Sequence, residues 1–278
     1  MTFKTVLNIV GHEQGDGDIK LAMDLCESAD AHLSLLVMGI AAPPPIGDYA
    51  SVISDAWLEE RQADMERLGE RAEEIEALVA LRGVSADLSS EYVETAAADD
   101  VAGLRARYCD VAVMGPDLLA THHLKYRVAN GVLFHAQRPL LLMPAGVPVT
   151  LSPKRIVIGW NSTLESARAV REALDMIDGA DDVRVVLVDP KTSDRANGPE
   201  PGADIAAYLA RHGAKVTVER LPSGGEMAGA ILMQHARDVS ADMLVLGAYG
   251  HSRLRQRMFG GVTSMMLDAP ELPTFLAR

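Results

Sequence analysis

The 278-residue chain predicts an α/β fold built from two tandem units, each an open five-stranded parallel sheet with helices on both faces. Three observations carry this expectation. Short, continuously apolar runs alternate with helical patterns, as strands buried on both faces require. Segments also recur within the chain, and a fixed glycine pattern follows one of the recurring strands. "LRGVSADL" at 81–88 resembles "ARHGAKVTV" at 210–218, "YCDVAVMGP" at 108–116 resembles "SADMLVLGA" at 240–248, and "ANGVLFHAQRPLLLMP" at 129–144 resembles "FGGVTSMMLDAPELPTFL" at 259–276. The offset stays at about 130 residues, so the repeated unit is a domain and not a short motif. "KTVLNIVG" near the start likewise resembles "KRIVIGW" at 154–160.

The uncharged, proline-bearing "PAGVPVTLSP" at 144–153 reads as a linker. It predicts domains at 1–146 and 152–278. In the second unit, "RIVIGW" is the first strand and "STLESARAVREALDMI" a helix, with Leu164, Ala167, Val170, Ala173, Leu174 and Ile177 at helical spacing. Ser162 or Thr163 caps its start. "VRVVLVD", "KVTVERL", "DMLVLGA" and "PTFLAR" are the following strands. "DIAAYLARHG", "GEMAGAILMQHARDV" and a helix over 262–268 separate them. The first unit repeats this order with one insertion, a long helix over 55–81 whose Leu58, Met65, Leu68, Ala72, Ile75 and Val79 share one face.

Composition narrows the function. The net charge is −13, with 23 acidic and 11 basic residues in 1–148 and 16 and 15 in the rest. That opposes nucleic acid as a partner and assigns an anionic ligand to the second half. The start of the chain does not read as a signal peptide, and no run approaches a membrane span, so the expected compartment is the cytoplasm. Cys26 and Cys109 stand apart and read as buried apolar residues. His122 and His123 have no carboxylate or cysteine at ligand spacing and read as surface side chains. The cluster Glu13, Asp16 and Asp18 reads as a solvated turn, and no metal site is expected.

The segment "GAYGHSRLRQRMFGGVTS" at 247–264 carries the chemistry. Gly247 follows a strand, where open parallel sheets bind ligands. Gly260 and Gly261 lead into a helix at Val262, Thr263 and Ser264, whose free N–H groups and dipole favour phosphate. Of the three alternating arginines, Arg253 lies nearest the expected phosphate. No Walker loop or dinucleotide fingerprint is present.

This segment resembles the nucleotide-binding signature of the universal stress protein family: two residues between the first glycines, nine before the third, then a small or hydroxyl residue. The resemblance spans nearly the whole chain as two tandem units of a Rossmann-like fold related to the adenine nucleotide alpha hydrolases. It implies ATP binding, dimerisation through the last strand, and weak or absent turnover. It assigns Gly247, Gly250, Gly260, Gly261, Val262 and Thr263 to the phosphate and ribose, and the backbone at Val188 to adenine. Asn161 stands where the family carries an aspartate, which removes the charge that magnesium-assisted binding would use. In the first unit, "GPDLLATHHLKYRVANGV" departs from the signature, with Pro116 and Leu118 in place of permissive residues. ATP is therefore expected in the C-terminal unit only. The two units are expected to form an intramolecular pseudo-dimer, with a homodimer as a further possibility. A slow ATPase or phosphotransferase and a ligand-free interaction module are the alternative functions.

Overall fold

A computed structural model describes residues 3–43, 55–192, 199–248 and 261–278. It separates into two compact units, Lys4–Ala136 and Gln137–Arg278, the latter joined by Phe3.

The N-terminal unit runs β1 (Thr5–Gly11), α1 (Gly17–Ala29), β2 (His32–Ala41), α2 (Asp55–Arg82), β3 (Ala86–Glu94), α3 (Ala98–Ala106), β4 (Val111–Met114), α4 (Pro116–Ala120) and α5 (His122–Asn130), which continues into a π turn over Gly131–His135. Its strands are parallel in the order β3-β2-β1-β4. The apolar runs of β1, β2 and β4 are buried on both faces, as their lack of alternation requires. The edge strand β3 is largely half-exposed.

Helix α2 has the extent that its periodicity predicts. Its apolar stripe does not wholly face the core, however. Leu68 and Ile75 are buried, whereas Leu58 and Met65 are each 48% exposed. The helix lies against β2 and β3, and Asp64 already accepts the Tyr92 hydroxyl of β3 at 3.0 Å, so Leu58 and Met65 are exposed at the margin of the stripe and not past the end of the sheet. Both cysteines are buried, and burial pushes the Cys26 thiol up to about 12.

The C-terminal unit runs β5 (Leu140–Leu142), β6 (Arg155–Gly159), α6 (Leu164–Glu172), α7 (Leu174–Asp178), β7 (Asp182–Val188), α8 (Ala203–Arg211), β8 (Val216–Leu221), α9 (Ala228–Asp238), β9 (Met243–Gly247), α10 (Gly261–Asp268) and β10 (Thr274–Ala277). The order is β5-β10-β9-β6-β7-β8, parallel except for β5 against β10. The helix expected over 162–177 is broken at Ala173, which caps both α6 and α7.

The sequence places Leu140–Leu142 in the first domain, but in the structure this strand groups with the C-terminal unit. The reason is its ladder with the chain's last strand: Leu142 faces Thr274, Leu141 faces Phe275 and Leu140 faces Leu276. The repeat is visible in side-chain chemistry as well. Asp110 Oδ2 accepts the N–H groups of Lys4 and Thr5 at 2.7 and 2.9 Å, and Asp242 Oδ2 accepts those of Lys154 and Arg155 at 2.9 and 2.8 Å. In each repeat an aspartate, before β4 in one and before β9 in the other, ties down the start of the strand it pairs beside, β1 or β6.

Candidate functional site

Parallel strands carry their chemistry at their carboxyl ends, and the C-terminal unit brings Asn161, Val188, Gly247 and Gly261–Thr263 to that edge. Asn161 follows β6 in a tight turn in which Ser162 adopts a positive φ of 60°. Its Oδ1 accepts the N–H of Thr163 at 3.3 Å and the hydroxyl of Thr163 at 2.8 Å. Thr163 Oγ1 in turn accepts the N–H of Ser166 at 3.3 Å and caps α6. The carbonyl oxygen of Asn161 is thus committed to shaping the turn, which leaves its amide nitrogen as the outward donor. A neutral side chain of this kind adds no charge to hold a magnesium ion.

Gly247 closes β9 for a reason that the sequence does not reveal. A Cβ there would collide with the backbone of α6, at Ser166 N and at Glu165 O, the latter 2.9 Å away. The glycine admits a neighbouring helix, and its exposure to a ligand is secondary to that. Gly261 is different. It is exposed at the first turn of α10, and among the described residues a Cβ would meet only the sulfur of Met227, at 3.9 Å. Thr263 is buried one turn into the same helix. Gly261 is exposed at the start of α10, where helix geometry leaves N–H groups without an intrahelical acceptor, an arrangement that suits an anion. Gly250, Arg253 and Gly260 lie outside the described residues.

Val188 is half-buried at the end of β7. Asp189, next to it, has a positive φ of 44°. Its Oδ1 accepts the N–H of Ser223 at 3.1 Å, joining the loops that follow β7 and β8. Hydrogen bonds from the Ser223 side chain and backbone hold its carboxyl below the usual range.

The corresponding edge of the N-terminal unit is filled by the chain itself. Asp18, in the first turn of α1, is fully buried. Its carboxylate accepts the N–H groups of Asp117 and Leu118 at 3.0 and 2.9 Å. Pro116 has no N–H to give, so Asp18 takes the first two donors of α4. Gly115 is required because a Cβ would overlap the Asp18 carboxylate. Gln14 extends the closure: its Oε1 accepts the N–H of Gly11 at 2.9 Å, and its Nε2 donates to Thr121 Oγ1 at 2.8 Å. Gly131 and Val132, which match the closing part of the signature, are buried. A Cβ on Gly131 would lie 2.8 Å from Gly103 N, so this glycine serves the packing of α3.

The expected solvated turn at Glu13, Asp16 and Asp18 is thus corrected in part. Glu13 is exposed and Asp16 pairs with Arg71 at 2.8 Å, but Asp18 is an internal ligand. Desolvation raises its pKa, against the lowering effect of the two backbone donors. The missed signal is a carboxylate at a helix start that faces a second helix start with a proline at its first position. His122 and His123 are exposed and stack edge-on at 5.6 Å. Among the described residues no cluster of metal-ligating side chains occurs, and no helix is long and apolar enough to cross a membrane.

Residues 153–278 match the model of the universal stress protein family. Among solved structures, a universal stress protein from Archaeoglobus fulgidus DSM 4304 aligns with a TM-score of 0.63 at 14% identity, covering 98% of each chain. A protein from Pseudomonas aeruginosa UCBPP-PA14 assigned to the same family aligns with a TM-score of 0.54 at 16% identity, covering 99% of this chain and 93% of its own. A functionally unknown protein from Pseudomonas aeruginosa PAO1 aligns with a TM-score of 0.54 at 15% identity, over 99% and 92%. At such identities the likeness is one of fold, and it extends through the N-terminal half that the family model does not reach. No curated protein matches the chain.

Proposed function

We propose, from the match of residues 153–278 to the universal stress protein family, a regulatory protein that holds one adenine nucleotide, ATP, in this half without rapid turnover. The observation that carries the reading is the asymmetry of the two sheet edges. One presents the exposed Gly261 at the start of α10, and the other is closed by Asp18 against Asp117 and Leu118.

In this reading the triphosphate lies against Gly247, Gly250, Gly260, Gly261 and Val262, with Thr263 contributing from within the helix and Arg253 adding charge. Asn161 donates through its amide nitrogen, and the backbone at Val188 meets adenine. Asn161 offers no anionic ligand to a magnesium ion that accompanies the nucleotide.

The pairing of β5 with β10 supports a second proposal. Each repeat contributes its final strand to one ladder, so the tandem chain acts as an intramolecular pseudo-dimer. A homodimer through α2 and a cytoplasmic location complete the reading. The net charge of −13 speaks against a nucleic-acid role.

Gly261→Glu tests the site. A glutamate at a helix start favours the helix by about 0.3–1 kcal/mol, so the fold is retained. The same charge repels a triphosphate, and ATP affinity should fall about tenfold or more by calorimetric titration. Unchanged affinity in a folded variant would contradict the placement. Steady phosphate release by the wild type would favour the slow-ATPase reading. Failure of the wild type to bind any adenine nucleotide would favour the interaction module.

A further inference from the structure

The starts of β2 and β3 place four polar side chains on one face of the N-terminal sheet. In the parallel register Leu33 faces Ala86 and Ser34 faces Asp87, so one step back His32 lies beside Ser85. Side chains two apart on a strand share a face, which puts His32, Ser34, Ser85 and Asp87 together. The backbone beneath them is fixed. His32 N donates to Lys4 O at 2.8 Å, and Leu33 N donates to Ser85 O at 2.9 Å. Helix α3 packs on the same strands and brings Arg105 to them.

These side chains form a directed chain of hydrogen bonds. His32 Nε2 lies 2.8 Å from Asp87 Oδ1, and His32 Nδ1 lies 2.9 Å from Ser85 Oγ. A carboxylate only accepts, so Nε2 carries the ring proton and donates. In the neutral ring Nδ1 then holds a lone pair, which accepts the Ser85 hydroxyl. The second carboxylate oxygen of Asp87 accepts from the Arg105 guanidinium, and Arg105 Nε donates to Ser34 Oγ at 3.1 Å. Asp87 is thereby held against the imidazole from behind. Ser85 is exposed and the His32 side chain is 37% exposed, so an electrophile from solution meets the hydroxyl directly.

A histidine beside a carboxylate is ordinarily a surface ion pair of little energetic weight. The third member changes what the arrangement can do. A hydroxyl within hydrogen-bond reach of a base that a carboxylate orients is an activated nucleophile, whichever ring nitrogen faces which partner. We propose that Ser85, His32 and Asp87 form a separate site that takes the acyl group of an activated carboxylic ester, such as an aryl ester. Ser85 Oγ attacks the carbonyl carbon and forms the new C–O bond, while its proton passes to His32 Nδ1. The bond from that carbon to the leaving aryl oxygen breaks, and His32 gives the proton to the departing alcohol. Water repeats the exchange on the acyl-serine, which releases the carboxylic acid and restores the hydroxyl. Asp87 acts through His32 as a positioning residue. The site shares no residue with the glycine edge of the C-terminal unit and stands independently of the nucleotide reading.

The test treats the full-length wild type, Ser85→Ala, His32→Gln, Asp87→Asn and Asp87→Glu with two probes. A fluorophosphonate leaves a stable phosphonyl group on an activated serine, which peptide mass mapping locates. p-Nitrophenyl acetate reports acyl transfer through nitrophenolate release. The wild type should carry the phosphonyl group on Ser85. His32→Gln should slow that labelling about 100-fold or more, and Asp87→Asn about tenfold or more, with melting temperatures close to wild type. Asp87→Glu, which keeps the carboxylate, should recover part of the rate. Nitrophenolate release should drop in Ser85→Ala and His32→Gln alike. A wild type without the adduct on Ser85, labelling as fast in His32→Gln or Asp87→Asn as in the wild type, or nitrophenolate release unchanged in Ser85→Ala would each overturn the proposal.

Discussion

The carboxylate of Asp18 accepts the backbone N–H of Leu118 at 2.9 Å and so occupies the N-terminal edge that corresponds to the glycine edge of the second repeat. An anion arriving there would meet a buried carboxylate instead of free donors.

Replacing Asp18 by alanine leaves the N–H groups of Asp117 and Leu118 unpaired inside the protein. Urea unfolding at neutral pH should show a loss of about 1–3 kcal/mol. The pH dependence has a defined sign. Desolvation raises the folded-state pKa of Asp18 above its unfolded value. The protonation-dependent part of its contribution is therefore fully present below the unfolded pKa and is lost as pH rises through the folded pKa. The gap between wild type and variant should widen as pH falls from neutral through that range, and a gap that narrowed would contradict the burial assigned to this carboxylate.

Asn8 is fully buried in β1, and neither atom of its carboxamide has a hydrogen-bond partner in the structure. It sits opposite Val113, while its counterpart in the second repeat, Ile158, sits opposite Val245. Asn8→Ile should stabilise the protein by about 1–3 kcal/mol, because an uncompensated buried amide is replaced by an apolar side chain. Denaturant midpoints decide the point, and a lower midpoint would mean that the amide is satisfied in solution.

Gly247 and Gly261 should separate in mutagenesis. Gly247→Ala forces a Cβ into the backbone of α6 at Glu165 and Ser166 and should cost about 1–3 kcal/mol. Gly261→Ala meets the described residues only at ordinary contact distance and should leave the melting temperature within a degree or two, a change of about 0.5 kcal/mol at most. Equal melting temperatures for the two variants would refute the close approach at Gly247.

Phe275 is fully buried in β10, faces Leu141 of β5 and lies 6.2 Å from the ring of Phe3. Phe275→Ala should cost about 3–5 kcal/mol. Deleting residues 271–278 should expose the backbone of β5 and β9 and produce aggregation or new self-association. A deletion variant as soluble and stable as the full chain would remove the β5–β10 ladder from the account.

The sequence is most legible where one interaction dominates. The apolar runs of β1, β2, β4, β6, β7 and β9 are buried on both faces, so a continuous pattern suffices to place them. The repeat is legible because Asp110 and Asp242 perform the same task in each copy. Legibility fails where two distant segments decide. Nothing local says that Asp18 faces Leu118 or that Gly247 yields to α6. Periodicity misleads along α2 as well, where Leu58 and Met65 carry the right spacing but remain 48% exposed.

The central claim is that one repeat holds a nucleotide and the other is closed by its own carboxylate. Calorimetric titration of the purified full-length protein with ATP measures this most directly, because it returns the number of sites per chain. The account expects one site per chain, lost or weakened about tenfold or more in Gly261→Glu and retained in Asp18→Asn. Two equivalent sites per chain, or a single site indifferent to Gly261→Glu, would contradict it.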